Sequence, residues 1–163
     1  MNKLDVLILA AGKGSRIKGK IPKLLLKIKN KTLIDHTINL SRKIKPNNIY
    51  VIVNSRLLFL KKNYKDCSFL VQKKILGTGY ATKLFVKHQK NKFNNLIILL
   101  ADTPFISLID INKIKKKLIN SDLVVFGFRS KKNTSYGLIK KDKNGEVKKI
   151  IEHKNARSNE KKN

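Results

Sequence analysis

Four short apolar runs, separated by segments of helical periodicity, constrain the fold of this chain more than any other feature. The runs cover residues 5–9, 50–53, 96–100 and 123–126. Strands that are buried on both faces of a parallel sheet have this near-continuous apolar composition. Alternation of such strands with helices implies right-handed crossover connections. The sequence therefore predicts an α/β fold with a doubly wound, mostly parallel sheet.

Polar residues mark where the intervening helices begin. Thr32 and Asp35 have the three-residue spacing of a capping box, and Ser107 and Asp110 repeat it. After each pair, apolar residues recur on one helical face. A third helix is expected over about residues 79–88.

The last part of the chain changes to strand periodicity. Residues 136–141 and 146–152 flank an Asn-Gly turn, which is the signal for a β-hairpin. No repeat or Pro/Ser-rich linker divides the 163 residues, which suffice for one sizeable core. We expect a single domain over residues 1–156, followed by a polar tail over residues 157–163.

The segment after the first apolar run carries the clearest signal of ligand binding. Residues 9–23 read LAAGKGSRIKGKIPK, in which Gly12 and Gly14 precede Arg16 and Lys23. Glycines at the end of a strand leave several backbone N–H groups exposed and allow a ligand to come close. Together with two cations, they predict an anion site suited to a triphosphate.

Two better-known phosphate-binding loops do not fit this segment. A dinucleotide-binding fingerprint would need a third glycine, where the chain has Ile17. A Walker A loop would need Ser or Thr after Lys20, but Ile21 follows, and Pro22 comes too early in the expected helix. From this segment alone, a strand-to-helix turn without a ligand stays open.

The formal net charge of +28 raises the alternative of a basic nucleic-acid-binding protein. Most of the 38 basic residues are lysine, whereas arginine is preferred for bidentate contacts to bases and phosphates. Lysine, asparagine and isoleucine are all abundant here and have AT-rich codons, so codon bias accounts for the charge. We expect no specific nucleic-acid partner.

Cysteine content and hydropathy favour a cytoplasmic protein. Cys67 is the only cysteine and cannot form an internal disulfide, which suits a reducing compartment. No apolar stretch approaches the length of a membrane span, so no membrane partner is expected. The spacing of the three histidines matches no zinc site.

Four segments, in order, resemble the sugar-phosphate nucleotidyltransferases with a MobA-like NTP transferase domain, most nearly the N-acetylglucosamine-1-phosphate uridyltransferases. The first is L-A-A-G-x-G-S-R over residues 9–16, with a later P-K. The second, QKKILGTGYA over residues 72–81, is similar to the uracil-reading loop. LLADTPFI over residues 99–106 is similar to the metal-binding segment. Two further stretches are similar to the sugar-site elements, namely Tyr136-Gly137 and IEHKNA over residues 151–156.

The resemblance implies a Rossmann-like nucleotidyltransferase fold and a reaction. UMP would pass from UTP to a sugar 1-phosphate, N-acetylglucosamine 1-phosphate, with release of pyrophosphate. The attacking phosphate is already an anion at neutral pH, so alignment and charge stabilisation suffice without a general base. Mg²⁺ is the implied cofactor, and UTP and the sugar phosphate are the implied partners.

The resemblance also implies roles for individual residues. Arg16 and Lys23 correspond to the catalytic contacts to the phosphates, and Gly137 and Glu152 to sugar-binding contacts. Asp102 corresponds to the Mg²⁺ ligand, and an aspartate just past an apolar strand suits a metal that prefers oxygen. The corresponding nucleotide-binding residues are Leu9, Ala10, Ala11, Gly12, Lys13, Gly14, Gln72, Gly77 and Thr78.

Three of these assignments have structural alternatives. Asp102, just before Pro104, also fits a turn or helix-capping aspartate. Gln72 offers the donor and the acceptor that base recognition needs, but taken alone it fits an exposed loop residue. Glu152 can accept hydrogen bonds from sugar hydroxyls and equally fits an edge-strand carboxylate.

The chain also departs from the pattern of this family. Leu100 and Ala101 precede Asp102 where the family has a glycine, and Asn155 replaces an aspartate. Family catalytic domains continue further and there supply a second metal ligand and more of the sugar pocket. The alternatives are therefore a weakly active or inactive nucleotide-binding remnant, and a homo-oligomer or a completing second chain as partner.

Overall fold

The computed structural model describes residues 3–12, 14, 21–90, 92, 95–129 and 136–157. They belong to two compact units, Met1–Ile111 and Asn112–Asn163. The α-helices within these ranges are α1 (Leu33–Ile44), α2 (Thr78–His88) and α3 (Leu108–Leu118), and the 3-10 helices are Lys23–Leu25, Ser55–Lys62 and His153–Asn155. The strands are β1 (Leu4–Ala10), β2 (Lys27–Ile28), β3 (Lys31–Thr32), β4 (Asn48–Val53), β5 (Ser68–Val71), β6 (Asn95–Leu100), β7 (Leu138–Lys141) and β8 (Val147–Ile151).

The first unit is built on a four-stranded parallel sheet with the strand order β5-β4-β1-β6. The chain moves from β1 through α1 to β4, and later returns through α2 to β6 on the other side of β1. Right-handed crossovers in opposite directions bring helices to both faces of a sheet. The predicted doubly wound, parallel architecture is confirmed.

The core of this unit lies along the central strands. Leu7, Tyr50 and Ile52 pack on one face of the sheet against Ala81 and Phe85 of α2. Alternate residues of β1 point to the other face, where α1 contacts the strand. This burial fixes the register of the strands, and so it fixes which residues reach the carboxyl edge of the sheet.

Both predicted capping boxes are present. At the start of α1, the Asp35 N–H donates to Thr32 Oγ1 at 3.2 Å, and the Thr32 N–H donates to Asp35 Oδ2 at 2.8 Å. Ser107 and Asp110 make the same reciprocal pair before α3, at 3.2 and 3.0 Å. The third helix, expected over residues 79–88, begins one residue earlier, at Thr78.

One predicted strand is wrong. Residues 123–126 are not part of any sheet within the described ranges, and Leu123 and Phe126 are 76% and 49% exposed. An apolar run becomes a strand only where a neighbouring backbone offers it hydrogen bonds. Strand β5, which has only four residues, was not among the four predicted apolar runs.

The second unit contains the predicted hairpin. Strands β7 and β8 pair antiparallel, with Leu138 opposite Ile151. In the turn, Asp142 Oδ1 accepts from the N–H groups of Asn144 and Glu146 at 2.9 and 3.0 Å. The expectation that residues 1–156 form a single domain stays a prediction. Within the described ranges, no helix has the length and apolar character that crossing a bilayer requires.

Candidate active site

The carboxyl edge of the first unit's sheet brings together the ends of β1 and β6. The Ala101 N–H, just past β6, donates to the Leu9 carbonyl oxygen at 3.1 Å. Strand order reverses between these two strands, because β4 and β5 lie to one side of β1 and β6 lies to the other. Ligands of open α/β sheets bind in the crevice at such a switch point. The glycine turn and Asp102 leave the sheet at this crevice.

Lys23 and Asp102 form an ion pair at the switch point. The Lys23 Nζ donates to Asp102 Oδ2 at 2.5 Å, and the two side chains are 37% and 35% exposed. Lys23 opens the 3-10 helix Lys23–Leu25, which Pro22 precedes and which the buried side chain of Leu24 anchors. A rigid turn with one buried residue therefore fixes where the lysine leaves the backbone.

Gly14 lies directly against Lys23. Its φ is +61°, and a Cβ built on it would be 3.1 Å from the Lys23 Cβ. A side chain at this position would combine backbone strain with a crowded contact. The glycine therefore permits the close packing between the turn and the lysine.

Thr37 supports the Asp102 side of the crevice. This α1 residue is 2% exposed, and its hydroxyl lies 3.3 Å from the Ala101 carbonyl oxygen and 3.4 Å from that of Leu33. The contact ties α1 to the residue before Asp102. Sequence reasoning missed Thr37, because a threonine within an amphipathic helix carries no signal of a distant contact.

Gln72 is buried, so the alternative of an exposed loop residue does not apply. It follows β5 directly and is 2% exposed. Its backbone N–H donates to the Val53 carbonyl oxygen at 2.8 Å, and its Nε2 donates to the Lys74 carbonyl oxygen at 3.0 Å. The side chain is therefore held in one orientation at the carboxyl edge of the sheet.

Gly77 and Thr78 begin α2 in the same unit. Gly77 is the N-cap, with a φ of +91° and a ψ of −178°, a conformation essentially confined to glycine. No side-chain hydrogen bond caps this helix. Both residues are exposed, so the backbone at the start of α2 is accessible.

Asn54 is a second residue that sequence reasoning missed. It follows β4, and its Nδ2 donates to the Ala11 carbonyl oxygen at 3.3 Å. Ala10 and Ala11 are buried, whereas Gly12 is exposed. A polar residue directly after a buried strand was the available signal, since the same pattern drew attention to Asp102.

Four of the residues singled out from the sequence are not among the described residues of the first unit. Gly137 and Glu152 belong to the second unit, where the pairing of Leu138 with Ile151 makes them neighbours at the open end of the hairpin. Both are exposed. Lys13 and Arg16 lie outside the described residues.

The Asp102 carboxylate suits a metal that binds together with phosphates. Within the described ranges, no group of three or more His, Cys, Asp or Glu residues could hold a metal ion. Mg²⁺ is commonly bound through one or two carboxylates, with substrate phosphates and water as its other ligands. Asp102 is partly exposed at a strand end, and it fits the role of the protein carboxylate that binds such a metal.

Comparison with known proteins identifies the family. The model of the MobA-like NTP transferase domain matches residues 6–160. The chain belongs to this family. It is 36% identical over 161 residues to the bifunctional protein GlmU of Buchnera aphidicola subsp. Schizaphis graminum, which covers 98% of this chain and 34% of that protein. For GlmU of Buchnera aphidicola subsp. Baizongia pistaciae the identity is 38% over 155 residues, covering 94% of this chain and 34% of the relative.

Solved structures share the fold of this chain. HddC from Yersinia pseudotuberculosis, complexed with GMP-PN, aligns with a TM-score of 0.70 and 23% identity, covering 91% of this chain and 68% of that one. The expected Rossmann-like nucleotidyltransferase fold is thus confirmed. The chain spans about a third of the length of the curated relatives it matches.

Proposed function

We propose that this chain transfers UMP from UTP to a sugar 1-phosphate, N-acetylglucosamine 1-phosphate, and releases pyrophosphate. The observation that carries the proposal is the pairing of Lys23 with Asp102 at the switch point of the sheet, beside the glycine turn. A fixed cation, a carboxylate and backbone amides are the groups that phosphoryl transfer requires. The family and the GlmU relatives support the reaction class.

The reaction is a displacement at the α-phosphorus of UTP. An anionic oxygen of the sugar phosphate forms the new bond to phosphorus, and the bond to the bridging oxygen of the β-phosphate breaks. Pyrophosphate leaves with that electron pair. Since the nucleophile carries no proton to be removed, the site needs alignment and charge stabilisation rather than a base.

The phosphates would be divided among the cations and amides of the turn. Lys23 binds at the α-phosphate and brings the two reactants together. Arg16 holds the departing β- and γ-phosphates with the amides of Gly12, Lys13 and Gly14. Removal of one such contact from a preorganised site slows a reaction by about a hundredfold, equivalent to roughly 3 kcal/mol.

Asp102 would hold Mg²⁺, which neutralises charge on the phosphates when bound. With Asp102 as the one carboxylate that the described residues bring to this site, we expect metal affinity to depend strongly on nucleotide. A completing chain or a homo-oligomer would be the source of a second ligand. If no second ligand is supplied, the alternative of a weakly active nucleotide-binding remnant applies.

Base and sugar recognition would use the remaining residues. Gln72 reads the uracil edge from its fixed orientation, and Gly77 lets backbone groups approach the base while Thr78 supports that loop. Gly137 and Glu152 contact the acetamido sugar. The side of the site that faces the base and ribose is formed by Leu9, Ala10 and Ala11. All of these reactants are soluble, and we propose a cytoplasmic location.

Pyrophosphate release from a panel of nucleoside triphosphates and sugar 1-phosphates tests the proposal. We expect release with UTP and N-acetylglucosamine 1-phosphate in the presence of Mg²⁺, and loss of at least about a hundredfold in Lys23→Ala. Lys27→Ala, which removes the same charge from exposed β2, is the control and should keep the activity. Mg²⁺-dependent UTP binding without turnover would favour the remnant. Absence of UTP binding would reject the proposal.

A further inference from the structure

Asn54 caps a helix without using its side chain. It is the N-cap of the 3-10 helix Ser55–Lys62, yet its side chain makes no capping hydrogen bond. Asparagine at an N-cap normally accepts a backbone N–H with its side-chain oxygen. Here the amide nitrogen instead donates to the Ala11 carbonyl oxygen, 43 residues away along the chain. The side chain therefore points away from its own helix and towards Ala11, where the glycine turn begins.

The other end of this side chain is left without a partner. The Oδ1 of Asn54 is buried and accepts no hydrogen bond from the described residues. Exchanging the amide oxygen and nitrogen would not help, because two oxygens would then face each other at Ala11. A lost cap and an unpaired buried acceptor both reduce stability. Local rules are broken in this way most often where a residue serves a site.

The held carbonyl determines where the next amide points. The carbonyl of Ala11 and the N–H of Gly12 belong to one planar trans peptide, so they point in opposite directions. Asn54 fixes the carbonyl, and the Gly12 N–H is therefore aimed away from Asn54. A Cβ built on Gly12 would have no heavy atom of the described residues within 4 Å, so these residues leave the space beside this peptide open to a ligand.

We propose that Asn54 is a positioning residue that aims the Gly12 N–H at the polyphosphate of the nucleotide. The proposal rests on the function proposed above, which assigns the polyphosphate to this turn. Asn54 itself contacts no phosphate. It contributes by keeping the donor oriented before the nucleotide arrives, so that binding does not have to reorganise the peptide.

Asn54→Ala separates positioning from a merely structural role. We expect the Kd for MgUTP to rise about tenfold, less than for removal of an anion-binding donor itself. The thermal midpoint should change little, because the lost hydrogen bond to the Ala11 carbonyl is offset by removal of an unpaired buried oxygen. Asn63→Ala, an exposed residue just after the same 3-10 helix, is the control and should change neither quantity. An unchanged Kd for MgUTP in Asn54→Ala would overturn the proposal.

Two further measurements keep this test independent of uridine recognition. In the free protein, the Ala11 ¹³C′ and Gly12 amide resonances should move in Asn54→Ala and remain in place in Asn63→Ala. An unchanged Ala11 signal would overturn the claim that Asn54 holds this carbonyl. Titration with inorganic tripolyphosphate then reports the anion site alone. If tripolyphosphate binds as tightly as UTP, only the base assignment fails, and if neither binds, both proposals fail.

Discussion

The ammonium group of Lys23 lies 2.5 Å from a carboxylate oxygen of Asp102, a residue that follows it 79 positions later in the chain. In the proposed reaction, Lys23 binds the α-phosphate and Asp102 binds the metal. Lys23 and Asp102 must therefore separate from each other before either can bind its proposed ligand. Nucleotide phosphates would draw the lysine away and free the carboxylate, so that nucleotide and metal binding are coupled.

Removing the lysine should therefore strengthen metal binding in the absence of nucleotide. For Lys23→Met we expect the affinity for Mn²⁺ alone to increase about fivefold, corresponding to roughly 1 kcal/mol for a partly exposed ion pair. UTP affinity should fall at the same time. Titration calorimetry measures both. Lys27→Met controls for general loss of positive charge, and equal metal affinity in wild type and Lys23→Met would contradict the coupling.

Gly14→Ala should affect both the turn and the lysine packed against it. With a φ of +61° and a Cβ 3.1 Å from the Lys23 Cβ, alanine here should reduce the free energy of unfolding by about 1 kcal/mol or more. Displacement of Lys23 should also weaken UTP binding. Urea unfolding and a UTP titration check the two effects.

Gly79→Ala provides the matched control for that substitution. Gly79 lies in α2, where a Cβ would have no heavy atom of the described residues within 4 Å. Alanine in a helix is more favourable than glycine, and we expect a gain of roughly 0.5–1 kcal/mol. If Gly14→Ala behaved like Gly79→Ala, the turn would not need glycine.

Gln72→Ala should change base selectivity more than phosphate binding. In the proposed base site the Gln72 amide would supply a donor and an acceptor to the base, so its loss should lower the preference for UTP over CTP by about tenfold. The measurement is the ratio of the two Kd values, which a general loss of stability would not alter. Gln89→Ala, at the far end of α2, is the control. An unchanged ratio would remove Gln72 from the base site.

Much of this fold was predictable because its signals are local. The capping boxes at Thr32 and Ser107 require only residues three positions apart, and both are present. The buried central strands follow from apolar composition alone. The run over residues 123–126 has the same composition without a paired neighbour, because pairing depends on backbone that is distant in sequence.

The candidate site was predictable to a similar extent. Lys23 and Asp102 were found separately, from a glycine turn and a strand end, and parallel topology brings strand ends to one edge. Asn54 and Thr37 act through carbonyls of residues more than 40 positions away in sequence. The position of Asn54 after a buried strand was visible in the sequence, but the distant carbonyl that each side chain contacts was not, so the structure is needed to identify these contacts.

The last prediction concerns a partly buried network that links α1 to the loop before β5. The Tyr64 hydroxyl donates to Asp35 Oδ1 at 2.7 Å. Burial opposes ionisation of Asp35, but the hydrogen bonds from Thr32 and Tyr64 outweigh burial and lower the pKa of this carboxyl below its ordinary 3.8. Burial and the bond to Asp35 raise the pKa of Tyr64 to about 12.

The two shifts set the pH range over which this network stabilises the protein. A lowered carboxyl pKa contributes stability that is present above the unfolded pKa of about 4 and is lost as pH falls through the folded value. A raised tyrosine pKa contributes stability below about pH 10 that is lost as pH rises through the folded value. Tyr64→Phe should therefore cost about 1 kcal/mol at pH 7, and less at pH 3. Urea unfolding at both pH values measures this, with Tyr80→Phe, an exposed tyrosine of α2, as the control. An equal cost at pH 3 and pH 7 would show that the hydrogen bond to ionised Asp35 is not what Tyr64 contributes.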